Sequence, residues 1–185
     1  MLSVYTSKED ILAASRDLIK ENGWAAVSIR AVASRCSVSA GTIYNYYESK
    51  ADLLSDTIES IWHEIFFHPE DEQVFHDVES CISWIYERLE YGNRQFPGFF
   101  SLHSFGFMRD EKTSGKKRMM KTWGHILNGL CEVLGNDPKV RADVFDQEFT
   151  EKKFADILFS LILVSMIRQD YDPSSVLMLV KKTLY

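Results

Sequence analysis

Residues 28–47 gather hydroxyl, guanidinium, phenol and carboxamide groups on what reads as two short helices. Ser28 and Arg30 open the first; Ser39, Thr42, Tyr44, Asn45 and Tyr46 lie on the second. A short helix, a three-to-four-residue turn and a second short helix have the spacing of a helix-turn-helix. Ala33 is small where two such helices must cross, and Val32, Val38, Ile43 and Tyr47 supply apolar contacts. Any tight helical pair could share that pattern, so the spacing alone is moderately specific. Catalytic chemistry finds no comparable constellation. HExxH, GxSxG, P-loop and Rossmann glycine patterns are absent. The five histidines and three cysteines form no legible nucleophile–base pair, so no catalytic residue is expected. Glu64 and His68 stand at i, i+4 beside His63, but no third ligand is near in sequence. They read as a polar helix end, and neither metal nor cofactor is expected.

The elements that would position residues 28–47 are helices, because nearly every segment has helical period and none alternates like a strand. Thr6-x-x-Glu9 reads as a capping box for a first helix, with Ile11, Leu12, Ser15, Leu18 and Ile19 on one face and Asn22-Gly23 as a left-handed stop. Ser28 caps a second helix, with Val27 and Val32 as a staple, and Ser39 a third through Tyr47. Ser49 caps a long fourth helix in which Leu54, Ile58, Ile61 and Ile65 are in register, broken at Pro69 and Glu70-Asp71-Glu72. A fifth carries Val74, Val78, Cys81, Ile82, Ile85 and Leu89. A short sixth is expected over Phe99–Phe107, and a polar link, Asp110–Lys117, precedes a helix carrying Trp123 to Leu134 that closes at Gly135-Asn136. A helix over 147–168 follows, and Pro173 takes the first position of the last. The fold class is thus all-α, with about nine helices: a three-helix head over 1–50 and a helical body over 51–185.

Composition agrees with a folded chain of 185 residues, 45% hydrophobic and 26% charged, which excludes disorder and polytopic membrane classes. The start of the chain lacks a basic stretch followed by an apolar one, predicting no signal peptide. Three scattered cysteines fit reduced thiols in the cytoplasm. The net charge of -6 is unevenly spread: residues 1–50 hold six bases against five acids, the remainder fifteen against twenty-two. An acidic body says little about a partner that touches only the head.

The order of residues from Ile11 to Leu54 resembles the DNA-binding region of the tetracycline-repressor (TetR) family. The resemblance rests on Gly23, Ser28-Ile29-Arg30-x-Val32-Ala33, Val38-Ser39-x-Gly41-Thr42-Ile43-Tyr44-x-Tyr46-Tyr47 and Ser49-Lys50-x-x-Leu53-Leu54, roughly a quarter of the chain. It implies that helix 39–47 lies in the major groove of double-stranded operator DNA. It implies that Ser28 meets a phosphate, and Arg30 a phosphate or a guanine edge. Ser39, Gly41 and Thr42 would open the recognition helix close to the backbone, Tyr44 and Lys50 would contact phosphates, and Asn45 and Tyr46 would read bases. Tyr47 reads as core. Two positions depart from the family pattern: Ala40 stands where many members have a base, and Ser37 replaces the usual turn glycine, at a cost of about 1 kcal/mol if left-handed.

In the body, 154–167 has eleven apolar residues of fourteen, too short to span a bilayer and apolar almost all round. It must be buried on more than one face, which predicts a homodimer; the resemblance implies a four-helix interface from the last two helices. Phe154, Ile157, Leu158, Leu161, Ile162, Ser165, Leu177 and Leu184 are the expected interface residues. The resemblance also places a small-molecule effector among the body helices, where Trp62, Trp84, Phe99, Phe100, Phe105 and Trp123 offer an aromatic lining. The reading is a cytoplasmic transcriptional regulator, a repressor released by its ligand. The alternatives are an activator, a regulator under a protein partner, an adaptor, and a small all-α enzyme or carrier.

Overall fold

Ser7, one residue past the expected cap, starts the first helix of the computed structural model, which describes residues 6–66, 75–100 and 114–185, with backbone alone over 114–122. Among them are eight α-helices, one short 3₁₀ turn and no strand. The expected short helix at Phe99–Phe107 lies largely outside the described residues. The described chain divides into two compact units: 6–66 with 94–97, and 75–93 with 98–100 and 114–185.

In the first unit, α1 (Lys8–Asn22) is closed by a capping box in which Asp10 N donates to Ser7 Oγ at 3.1 Å and Ser7 N to Asp10 Oδ2 at 2.8 Å. The sequence also permits Thr6-Glu9, but Thr6 is buried and Glu9 turns to Arg16 at 2.8 Å. Gly23 ends α1 at φ 76°, ψ 177°: positive φ as expected, but extended in ψ, a region open essentially to glycine alone. After the 3₁₀ turn Trp24–Ala26, Ser28 caps α2 (Ile29–Arg35) by accepting from Ala31 N at 3.1 Å, while Val27 and Val32 are fully buried. The end of α2 is a Schellman turn: Val38 N donates to Ala33 O at 2.9 Å and Ser37 N to Ser34 O at 3.1 Å. Ser37 sits at its left-handed position with φ 56°. Ser39 caps α3 (Ala40–Tyr44), which stops three residues before the expected Tyr47 and continues as a tight turn with Tyr46 N and Tyr47 N both on Ile43 O.

Ser49 accepts from Asp52 N at 3.2 Å at the start of α4 (Lys50–Phe66). The buried stripe of α4 is Leu53, Thr57, Ile61 and Ile65, so Leu54 and Ile58 are half-buried neighbours instead of its centre. α1 and α4 run parallel, as the ion pairs between them show: Lys8 meets Asp56 at 2.6 Å, and eight residues on, Arg16 meets Glu64 at 3.0 Å, with Lys20 on the same carboxylate at 2.6 Å.

The second unit holds α5 (Val78–Gln95, as far as Asn93), α6 (Ser114–Asn136), α7 (Glu151–Arg168) and α8 (Ser174–Leu184). α6 begins inside the expected polar link, whose lysines are good helix formers. α7 begins at Thr150 instead of residue 147, because Asp146 Oδ1 captures the amides of Glu148 and Phe149 in a turn of its own. α8 takes its cap from Asp172, which accepts from Ser174 N at 2.9 Å, with Pro173 at the boundary. Trp123 packs edge-on against Phe159 across α6 and α7 (centroids 5.8 Å apart), and Tyr86 on α5 shares a hydrogen bond of 2.8 Å with Ser165 on α7.

Candidate nucleic-acid interface

α3 is held against α2 by Ile43 and Val32, both with no exposed surface, and by Ala33 at the crossing. That packing leaves the opposite face of α3 and its turn in solvent. Tyr44 is 55% exposed and Tyr46 39%, Gly41 and Asn45 are exposed, and Tyr47 is buried with Lys8 over its ring at 5.6 Å. A Cβ on Gly41 would meet only Ser39 Oγ, at an ordinary 3.5 Å, so nothing in the head itself demands glycine there.

The polar groups of this face are not equally available. Ser39 and Thr42 hydroxyls share a hydrogen bond of 3.0 Å. Tyr46 donates its hydroxyl to Thr6 O at 2.6 Å, bracing the turn after α3 against the start of α1, a contact that sequence spacing gives no means of finding. Asn45 and Tyr44 make no side-chain hydrogen bond among the described residues.

Charge is sorted the same way. Of the head's six lysines and arginines, four are taken up by the chain's own acids. Lys8, Arg16 and Lys20 are in the α1–α4 pairs, and Arg35 forks onto Glu21 with Asp17 3.8 Å away. The Arg35 guanidinium holds the Glu21 carboxyl below its ordinary pKa. Arg30, on the first turn of α2, and Lys50, at the start of α4, are exposed and have no acidic partner among the described residues. Ser28, half-buried, spends one lone pair on its cap.

The expected effector residues fall into both units. Trp62 is in the first, buried and stacked on Phe66 at 5.5 Å. In the second, Phe99 and Phe100 have no exposed surface and pack edge to face at 5.3 Å, Trp84 lies against Phe75 at 5.2 Å, and Trp123 against Phe159. Phe105 lies outside the described residues, as does His68. Glu64 is engaged by Arg16 and Lys20, and no metal-binding cluster occurs among the described residues.

Of the expected interface residues, Phe154, Leu158, Ile162 and Leu184 are buried in the protomer's own core. These positions, on one stripe of α7 and at the end of α8, pack on this chain. Ser165 is half-buried against Tyr86, and Leu161 and Leu177 are half-buried at the boundary. Ile157 alone of that set is an exposed large apolar residue, at 44%. With it stand Val164 and Ile167 on α7 and Met178 and Leu179 on α8, which sequence reasoning missed. Among the described residues, every exposed large hydrophobic other than Tyr44 and Tyr46 lies on these two helices.

Residues 11–57 match the family model described as bacterial regulatory proteins, tetR family. Over 48 residues the chain is 38% identical to the HTH-type transcriptional regulator UidR of Escherichia coli (strain K12). That alignment covers 26% of this chain and about a quarter, 24%, of the relative's length. The fold is shared far more widely than the sequence. The Bacillus subtilis transcriptional regulator FadR, crystallised with stearoyl-CoA, superposes with a TM-score of 0.65 at 18% identity, covering 97% of this chain and all (100%) of that one. A transcriptional regulator from Rhodococcus sp. Rha1 gives 0.65 at 19% identity, over 91% and 86%.

Proposed function

We propose, from the match of residues 11–57 to the TetR family model, that the protein is a homodimeric transcriptional regulator. It binds a pseudo-palindromic operator and releases it when a small molecule occupies the body. The observation that carries the reading is the sorting of charge in the head. The two cations left without an acid, Arg30 and Lys50, are those the TetR pattern assigns to DNA. They act with the exposed face of α3 and its turn: Ser39, Gly41, Thr42, Tyr44, Asn45 and Tyr46, with Ser28 at the start of α2. Cations attract the phosphate backbone, and the polar side chains fix register and read base edges.

The apolar surface of α7 and α8 supports the dimer. Exposed apolar side chains gathered on two helices fit an interaction site, and two recognition helices about 34 Å apart read two half-sites where one would bind too weakly. A ligand that favours a different spacing releases the DNA. Trp84 and Trp123, half-buried in the second unit, are the aromatic groups to test first for effector contact. The chain acts in the cytoplasm, where its operator is.

The test is fluorescence anisotropy on duplex from the gene's own upstream region against scrambled duplex. Binding at least ~10³-fold tighter to the former, lost in Arg30→Ala/Lys50→Ala with the circular dichroism spectrum unchanged, is the expected result. Equal weak binding to both duplexes, and no motif recovered from a random-sequence selection, would defeat the proposal.

A further inference from the structure

α3 and its turn present few side chains able to tell one base pair from another. Ala40 and Gly41 have no polar side chain. The Ser39 and Thr42 hydroxyls share a hydrogen bond of 3.0 Å, and the Tyr46 hydroxyl donates its hydrogen bond to Thr6 O at 2.6 Å. The Tyr44 phenol is a single hydroxyl that serves a phosphate as well as any base. Asn45 remains. It is exposed, it makes no side-chain hydrogen bond among the described residues, and its carboxamide carries a donor and an acceptor side by side. Its backbone is fixed from both sides: Asn45 N donates to Gly41 O and Thr42 O, each at 3.2 Å, and the next residue is pinned to α1 through the Tyr46 hydroxyl. A carboxamide held at one place on an exposed helix end matches the acceptor–donor pair of adenine N7 and N6 in the major groove, and no other base edge offers that pair to it in the same geometry.

We propose that Asn45 is the base-reading residue of α3, selecting an adenine in each half-site, and that Tyr46 is a positioning residue that fixes Asn45 and reads no base itself. This rests on the DNA-binding reading above and deepens it.

Random-duplex selection with the intact protein, followed by anisotropy on the selected sequence, tests it. The wild type selects one A·T pair at a fixed place in both half-sites. Asn45→Ala loses preference at that pair alone, and its affinity for the selected site falls on the order of 10- to 100-fold per half-site. Replacing that A·T pair by G·C weakens the wild type by a similar factor and leaves Asn45→Ala unaffected. Tyr46→Phe, which keeps the ring and loses the hydroxyl, selects the same sequence with lower affinity. An unchanged circular dichroism spectrum and thermal midpoint in Asn45→Ala separate base reading from loss of the head. An unchanged motif in Asn45→Ala would overturn the assignment to Asn45. A base preference lost in Tyr46→Phe would overturn the role given to Tyr46. In both cases DNA binding itself would stand, whereas failure of the wild type to select any motif would overturn DNA binding and this inference together.

Discussion

Ser37 holds a φ of 56° at the end of α2, where the Schellman turn requires a left-handed residue and an L side chain crowds its own carbonyl. Ser37→Gly removes that strain at the cost of a freer unfolded chain, and the expected net gain is about 0.5–1 kcal/mol. An upward shift of the urea midpoint at constant m-value checks it; no shift would mean that the serine conformation is unstrained. Gly23 has the reverse role. At φ 76°, ψ 177° it has open space where a Cβ would go, nothing lying within 4 Å, so the penalty of Gly23→Ala is conformational alone. About 1–3 kcal/mol of stability should be lost in the same assay. Gly23 was legible as a turn residue from its type alone, whereas the left-handed demand at Ser37 followed only from the resemblance to the TetR pattern, which has glycine there. Thr6 was legible in neither way: its carbonyl receives the Tyr46 hydroxyl from forty residues away, and no local pattern encodes that contact.

Helices show the same division between local and distant causes. Caps at Ser28, Ser39 and Ser49 followed from hydroxyl spacing, and the apolar stripe of α1 from its period. α7 defeated period reading because it is apolar nearly all round. With stripes at 154, 158, 162, 166 and at 157, 161, 164 both hydrophobic, only tertiary packing decides which turns inward. The start of α5 is a further case: Asp77 caps it locally, accepting from Ser80 N at 2.8 Å, but its first amide is taken up from farther along the unit. Asp137, 5% exposed, accepts from Val78 N at 2.9 Å, from Lys139 N at 2.9 Å and from the Tyr185 hydroxyl, joining the ends of α5, α6 and α8. Asp137→Ala strands a buried amide and should cost about 2–3 kcal/mol in urea unfolding. Burial, then the hydrogen bond to Asp137 and the charges of Asp137, Asp77 and Glu79, push the Tyr185 phenol above its ordinary value. A raised phenol contributes stability that is complete below pH ~10 and is lost as pH climbs past the unfolded value toward the folded one. The wild type should therefore lose stability between about pH 10 and 12 more steeply than Tyr185→Phe. Parallel urea midpoints in the two proteins across that range would sink the idea.

At the scale of the whole molecule, the proposed regulator, with net charge -6, would meet a polyanion through few unpaired cations of its head. Lys8, Arg16, Lys20 and Arg35 are neutralised within the head, so Arg30 and Lys50 from each protomer would leave four for the proposed dimer on its operator. Counterion release would then give a slope of about −3.6 for log affinity against log salt, shallow beside the slope of about −10 of a heavily basic repressor. Affinity should drop on the order of 10²-fold between 50 and 200 mM salt. Lys50→Ala should flatten the slope by about 1.8, one contact from each head. With so little electrostatic pull, the proposed binding would depend on both heads engaging at once, and the exposed apolar residues of α7 and α8 would decide whether they do. Val164→Glu places a charge on an exposed position, 44% accessible in the single chain, so the fold and its thermal midpoint should hold. Across a dimer seam the same charge meets its symmetry copy in an apolar setting, and the sedimentation coefficient should fall to that of a monomer. Operator affinity should fall with it, by more than 10²-fold at equal protein, while the salt slope falls to about half, near −1.8, because one head carries two cations. A dimeric Val164→Glu protein with undiminished slope would place the subunit contact elsewhere.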